Sequence, residues 1–398
     1  MSSNSMIQQL IKGAEGKFDQ AILDTDNIGY FAENLDQAKI PALIINNRLP
    51  LGKSIDMKDI ENLREKGIEY YPPGRTGMPS LVTAEDGLSV PGGMVAATDK
   101  NLLELSVLGT YVVYLNKEDM LSLLNKGTLK LNIPDVVNIV LKGETGQFVG
   151  GIDIALYLVN YFNLSKNSML EFQGEGLNSL PLNERFNLAR TLIDLGFENL
   201  IFQVDEKVMA YLQDRTQNEG KFYFADTEAP KNKMINIELQ KIHPMIAWNE
   251  NDQIKIGPLT DKDSAPIDLI FIGGDNAARY ADIQDGLKLV RYHPLADNVA
   301  GSILPGSQLV YGDLLDMGIA GILTEIGFDI LPSSFMELLS ESPDKERIRL
   351  GTSLKILHSG GMTANALSCF SAAMTGRITH PLELESILEH EEEHQHEH

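Results

Sequence analysis

Residues 267–280 read Ile267-Asp268-Leu269-Ile270-Phe271-Ile272-Gly273-Gly274-Asp275-Asn276-Ala277-Ala278-Arg279-Tyr280. The mostly apolar run 267–272 has the composition of a strand covered on both faces. Gly273-Gly274 ends that strand and supplies the freedom for a tight turn. Asp275-Asn276 offers side-chain oxygens suited to cap a helix, which the pattern predicts over 280–290. A strand leaving through glycines into a helix is where open α/β sheets hold ligands. Gly-Gly alone is a weak cofactor signature.

The same alternation extends outward. Short Val- and Ile-rich runs at 40–45, 94–98, 110–115, 136–141 and 200–204 predict buried strands. Amphipathic stretches at 117–124, 151–161, 183–195, 280–290, 311–326 and 363–375 predict helices. Strand and helix in alternation imply α/β/α layers around mostly parallel sheets. A Pro-led strand start at Asn132-Ile133-Pro134 and the polar stretch 214–233 mark two boundaries. The segments are 1–132, 133–230 and 231–382, followed by an acidic, His-rich tail, 383–398. The tail carries His390, His394, His396 and His398. It reads as a solvated, disordered end, with zinc, nickel or copper binding as the alternative.

Charge and composition exclude several classes. The 398 residues hold 33 Lys and Arg against 56 Asp and Glu, a formal net charge of −23. That balance leaves no basic stripe for nucleic acid and repels anionic membrane surfaces. The apolar runs are too short to span a bilayer. The start MSSNSMIQQL lacks a basic flank followed by an apolar stretch, so no secretory signal is expected. One cysteine forbids an intrachain disulfide and suits a reducing cytoplasm. Cys369 stands in the apolar run ANALSCFSAAM and reads as a buried, inert thiol. His243, His293, His358 and His380 are scattered and read as structural.

Several short motifs recur in order over residues 133–381. Ile133-Pro134-Asp135-Val136-Val137 leads into LKGETGQFVGGIDIALYL, with Gly143 and Asp153 in step. Glu171, Gly174, Glu175, Gly176, Ser179, Leu180 and Arg185 follow, then Asp205-Glu206 with Tyr211-Leu212. Pro244 and Trp248, the run Phe271–Arg279 with Asp282, Pro305-Gly306-Ser307, and Thr375-Gly376-Arg377-Ile378-Thr379 complete the set. Together they resemble the large subunit of isopropylmalate isomerases (3-isopropylmalate dehydratases) and aconitases. The resemblance implies a three-domain α/β/α core without a swivelling fourth domain. The first 130 residues match poorly.

The resemblance also implies a chemistry that this chain departs from. Family members remove and re-add water on a hydroxy acid, using an iron–sulfur cluster held by three Cys thiolates. Asp275 stands where the Cys of "G-S-C-T-N" stands, and Ser334 and Glu337 stand at the two Cys of "P-G-C-S-M-C". The "D-S-H-T" loop resembles Asp99-Lys100-Asn101-Leu102, which keeps the acid and loses the imidazole. The early "D-H" pair resembles Asn46-Asn47. The "I-C-N-x-x-x-E" helix reads Arg190 for the amide and keeps a carboxylate at Asp194. A substrate-gripping Arg becomes Lys355. The expectation is therefore no 4Fe-4S cluster and a non-catalytic small-acid-binding or assembly role. Its partners would be a small swivelling subunit, a homologous large subunit, or a small hydroxy- or dicarboxylic acid.

Two sharper readings stay open beside plainer ones. Asp275, Ser334 and Glu337, with Asp194 and Asp99, would hold magnesium, calcium or manganese through oxygen; the alternative function is a hydro-lyase on a hydroxy acid that uses such an ion or no metal, with Asp99 and Asp194 as its candidate catalytic residues. In the plainer reading Asp275 caps a helix, Ser334 fills a loop and Glu337 is solvated, while Phe335 makes the loop a packing element. Arg190, Arg279, Lys355, Lys100 and Asn101 would grip a carboxylate, or each cation would pair with an acid of this chain.

Overall fold

A computed structural model describes residues 5–46, 55–72, 77–132, 134–216, 220–224, 233–336 and 346–396. It contains three sheets. The first is five-stranded: β1 (Gln20–Leu23), β2 (Ala42–Ile45), β3 (Ile68–Tyr71), β4 (Met94–Ala97) and β5 (Tyr111–Tyr114). All its pairings are parallel, in the order β3-β2-β1-β4-β5. The second holds β6 (Val136–Lys142), β7 (Met169–Gln173), β8 (Leu200–Phe202) and β9 (Met234–Glu238), parallel in the order β8-β7-β6-β9.

The third sheet has seven strands. They are β10 (Met245–Glu250), β11 (Gln253–Pro258), β12 (Leu269–Gly273), β13 (Ala300–Leu304), β14 (Phe328–Ile330), β15 (Arg349–Gly351) and β16 (Met362–Ala364). The order is β11-β10-β16-β15-β12-β13-β14. β10 runs antiparallel to β11 and β16, and the remaining pairs are parallel. β10 and β11 are joined by Asn251-Asp252, both with positive φ (53° and 60°), the geometry of a two-residue hairpin turn.

Contacts divide the chain into two compact units. One comprises Met1–Gly143, Leu164–Leu182 and Gly196–Glu238, and carries the first two sheets. The other comprises Glu144–Asn163, Asn183–Leu195 and Leu239–His398, and carries the third. The two units do not coincide with the three sequence segments: β9 falls past the 230 boundary, and the helix-bearing stretches Glu144–Asn163 and Asn183–Leu195 of the middle segment belong to the second unit. The first unit's core gathers Ile7, Phe31, Ala21, Ile44, Met94 and Leu123, all buried. Burying side chains of this kind contributes about 1.5–3 kcal/mol each for the larger ones.

Most expected elements lie within a residue or two of their positions, and four readings need correction. The helix predicted over 311–326 is two helices, Gln308–Asp316 and Ile319–Glu325, because Gly318 turns left-handed at φ 72°. The stretch 363–375 is β16 followed by a helix at Ala366–Thr375, capped by Asn365 through Ser368 N–H. The tail is not irregular: Pro381–His396 is helical, with Leu384 and Leu388 buried one turn apart. Asp275-Asn276 does not cap the helix after β12. That helix, Tyr280–Leu289, begins after Arg279, whose N–H donates to Asp282 Oδ2 at 2.9 Å.

Candidate functional site

The second unit's sheet has its topological switch at β12. The chain runs from β12 to β13 and β14 on one side, then returns to β15 on the other. In an open parallel sheet, ligands bind where neighbouring strands send their loops opposite ways. The loops leaving β12 and β15 therefore meet at the favoured position, and they carry Asp275 and Lys355.

The β12 exit explains its glycines. Gly273 and Gly274 have φ of 100° and 81°. A Cβ on Gly273 would lie 2.2 Å from Leu304 O, and one on Gly274 would lie 3.0 Å from Met336. Gly273 N–H donates to Thr352 Oγ1 at 3.0 Å, and Thr352 donates to Asn276 O at 2.8 Å. Asn276 Nδ2 in turn donates to Thr191 Oγ1 at 2.9 Å, and Ala277 N–H to Asn187 Oδ1 at 3.1 Å. These bonds tie the β12 loop to β15 and to the helix Leu182–Asp194. Beneath the loop, Phe271, Leu304, Met336 and Ile356 form an apolar cluster, with Phe335 and Leu331 against it.

That framework holds four charges together. Arg190 Nη2 lies 2.6 Å from Asp194 Oδ1 and 3.4 Å from Asp275 Oδ2, and Arg190 Nε donates to Asp194 Oδ2 at 3.2 Å. Lys355 Nζ lies 3.0 Å from Asp275 Oδ2. The Arg190 and Asp275 side chains are 2% and 3% exposed, whereas Lys355 is 29% exposed. Asp275 Oδ1 is buried, and the Ser353 side chain also supports the ionised carboxyl.

The electrostatics follow from the geometry. Burial opposes ionisation of Asp275, but the Lys355 ammonium and Arg190 guanidinium outweigh it and hold the carboxyl at about 2. Burial pushes Asp194 up to about 6, and the Asp275 charge adds to this against the pull of Arg190 and Lys355. Asp275 raises Lys355 further, so the ammonium stays charged. Two cations and two carboxylates balance when all are ionised. Asp194 is the member able to exchange a proton near neutrality.

A second group of carboxyls lies in the same unit, and sequence reasoning missed its character. Glu184 accepts from Gly151 N–H at 2.6 Å, and Asp282 Oδ1 accepts from Asn183 and Asn187, both at 2.8 Å. Burial and then the Asp282 charge push Glu184 up to about 8. Asp153 accepts from Gly150 N–H, Met245 N–H and Asn365 Nδ2, and burial pushes it up to about 7. The spacing Asn183, Glu184, Asn187 on one helix was the available signal: amides one turn apart beside an acid.

The other expected residues fall elsewhere. Arg279 is not among the four charges: its guanidinium sits 3.8 Å from the Phe186 ring centre. Asp99 caps the 3₁₀ segment Lys100–Leu108 by accepting Asn101 N–H at 2.9 Å, in the first unit. Lys100 pairs with Glu198 and lies over the Tyr114 ring. Asn46 is buried and donates to Tyr70 Oη at 3.1 Å, and Asn47 lies outside the described residues. Ser334 sits in a turn after β14, beside Phe335 and Met336, and Glu337 lies outside the described residues. Among the described residues no three His, Cys, Asp or Glu side chains are grouped to hold a metal ion. Cys369 is buried, its thiol donates to Ala364 O at 3.7 Å, and burial raises its pKa. No helix of the described residues is long and apolar enough to cross a membrane.

Residues 53–336 match the family described as Aconitase family (aconitate hydratase). The chain belongs to the aconitase family. Among curated proteins it is 27% identical over 264 residues to the 3-isopropylmalate dehydratase large subunit of Clostridium botulinum (strain Alaska E43 / Type E3), covering 66% of this chain and 63% of that protein. It is 29% identical over 273 residues to the same subunit of Clostridium kluyveri, covering 68% and 63%. The chain thus spans 63% of the length of these relatives. Among solved structures, the crystal structure of Thermococcus kodakaraensis aconitase X (holo-form) matches with a TM-score of 0.49 at 15% identity, covering 94% of this chain and 93% of that one.

Proposed function

We propose that this aconitase-family chain has left iron–sulfur dehydration and holds a small hydroxy- or dicarboxylic acid at Lys355 without turning it over. The observation carrying this reading is the Asp275 carboxylate fixed between Lys355 at 3.0 Å and Arg190 at 3.4 Å. A cluster needs three thiolates around its irons. The chain's one sulfur donor of that type, Cys369, is buried with its thiol turned to a backbone carbonyl. Asp275 and Ser334 offer hard oxygen, which suits sulfide-bridged iron poorly. The donor set present therefore does not fit a cluster. Two cations against Asp275 also oppose a divalent ion at that carboxylate.

Lys355 is the half-buried member of the network, so its ammonium is the point where a ligand carboxylate would arrive. Lys holds a carboxylate as a point charge, without the two-pronged grip of Arg. The relatives are named large subunits, and a small swivelling subunit or a second large-subunit-type chain is the partner this reading names. A single buried thiol suits a reducing compartment such as the cytoplasm.

Thermal unfolding with citrate, isopropylmalate and divalent cations, beside a turnover assay, tests the reading. A ligand bound only by the native state raises the midpoint. The expected result is a rise with a hydroxy acid, abolished in Lys355→Ala, with no product. Turnover of either acid, or a rise with a divalent ion that Asp275→Asn removes, would contradict it.

A further inference from the structure

In the second unit the helices Gln308–Asp316 and Ile319–Glu325 pack side by side. Val310 and Leu314 are buried. Gly312 lies two residues from each, about 200° around the helix, and so stands mid-way across the outward face. Leu309, Tyr311 and Leu315 flank it, and Met317 follows. They are 50%, 36%, 52% and 65% exposed. Large apolar side chains gathered this way on a surface mark an interaction site.

The glycines point the same way. A Cβ at Gly312 or Gly321 would meet nothing within 4 Å, so crowding inside the chain accounts for neither. Glycine inside a helix weakens it relative to alanine. At the centre of an apolar face it leaves a groove in which another backbone can lie close.

Charge identifies the occupant. Residues 294–344 contain no Lys, Arg or His. Asp313, Asp316 and Glu325 lie exposed on these two helices. We infer that this face docks a separate polypeptide presenting an apolar helix flanked by Lys or Arg. Opposite charges around an apolar centre steer such a partner and fix its register. A second copy of this chain would set the same acidic rim against itself, and nucleic acid would be repelled. The inference stands independently of the small-acid reading.

The test measures binding of the full chain to a fluorescent model helix with a leucine face and lysine flanks. Two control peptides are used: one with glutamate flanks, and one of the same composition in scrambled order. Light scattering reports the oligomeric state. The expected result is a monomer that binds the lysine-flanked helix at least about tenfold tighter than either control. Gly312→Gln, which fills the groove without changing charge, should weaken binding about tenfold with no fall in melting temperature, and Leu315→Gln should do the same. Equal binding of the scrambled peptide would overturn the inference, since only charge would then act. So would unaltered binding by both variants, or a dimer that Leu315→Gln dissociates.

Discussion

Each of the three sheets has a topological switch, and the first and third use it differently. In the first sheet the switch lies between β1 and β4, whose exits carry Asp24, Thr98 and Asp99. Thr98 Oγ1 accepts Asp24 N–H at 2.7 Å, Asp24 Oδ1 accepts Asp26 N–H at 2.8 Å, and Asp99 accepts Asn101 N–H. Those side chains finish loops. In the second unit the switch between β12 and β15 holds Arg190, Asp194, Asp275 and Lys355 in buried ionic contact. Topology nominates both positions, but only the second concentrates charge away from water. Strand order finds candidate sites, and burial with charge separates them.

The largest expected difference comes from breaking each switch at one charged residue. Arg190→Met leaves two carboxylates buried without their shared guanidinium and should cost about 3–5 kcal/mol. Asp99→Ala removes a cap and should cost about 1 kcal/mol. Urea unfolding measures both, and equal losses would erase the distinction between the two regions.

The next effect concerns pH within the second unit. Glu184 is raised to about 8, so the folded chain keeps a proton that the unfolded chain releases. Its contribution is complete below the usual carboxylate range and is lost as pH climbs through about 8. Glu184→Gln should flatten that decline by on the order of 2 kcal/mol between about pH 5 and 9. A decline unchanged by the substitution would remove Glu184 as its source.

A smaller contrast sharpens the comparison at its two lysines. Lys355→Ala should destabilise by about 1–2 kcal/mol, since Asp275 stays buried with one cation fewer. Lys100, 48% exposed beside Glu198, should be worth about 0.5 kcal/mol or less and should weaken in salt. Melting at low and high ionic strength distinguishes them.

The sequence made much of this readable, for identifiable reasons. The run 267–274 announced β12 and its turn because apolar β-branched residues and paired glycines act locally. Asp194, Arg190, Asp275 and Lys355 were each named from motif position, and the fold brings these four together. The one-turn spacing of Arg190 and Asp194 reports their own pair, but the network it joins depends on Asp275 and Lys355, 85 and 165 positions from Arg190. No local pattern reports that. Asp275 was expected to cap the helix predicted from 280, and that helix starts there with Arg279 as its cap residue instead, because Asp282 accepts Arg279 N–H. The helix over 311–326 broke at Gly318, where a left-handed residue was needed. The hairpin β10–β11 escaped notice because Asn251-Asp252 lacks the glycine that usually marks such a turn.

Iron and acid-labile sulfide in anaerobically purified protein test the central claim most directly. If Asp275 belongs to a charge-balanced network with Arg190, Asp194 and Lys355, the preparation will be colourless, with neither element in stoichiometric amount. A brown preparation with several irons and matching sulfide per chain would contradict it.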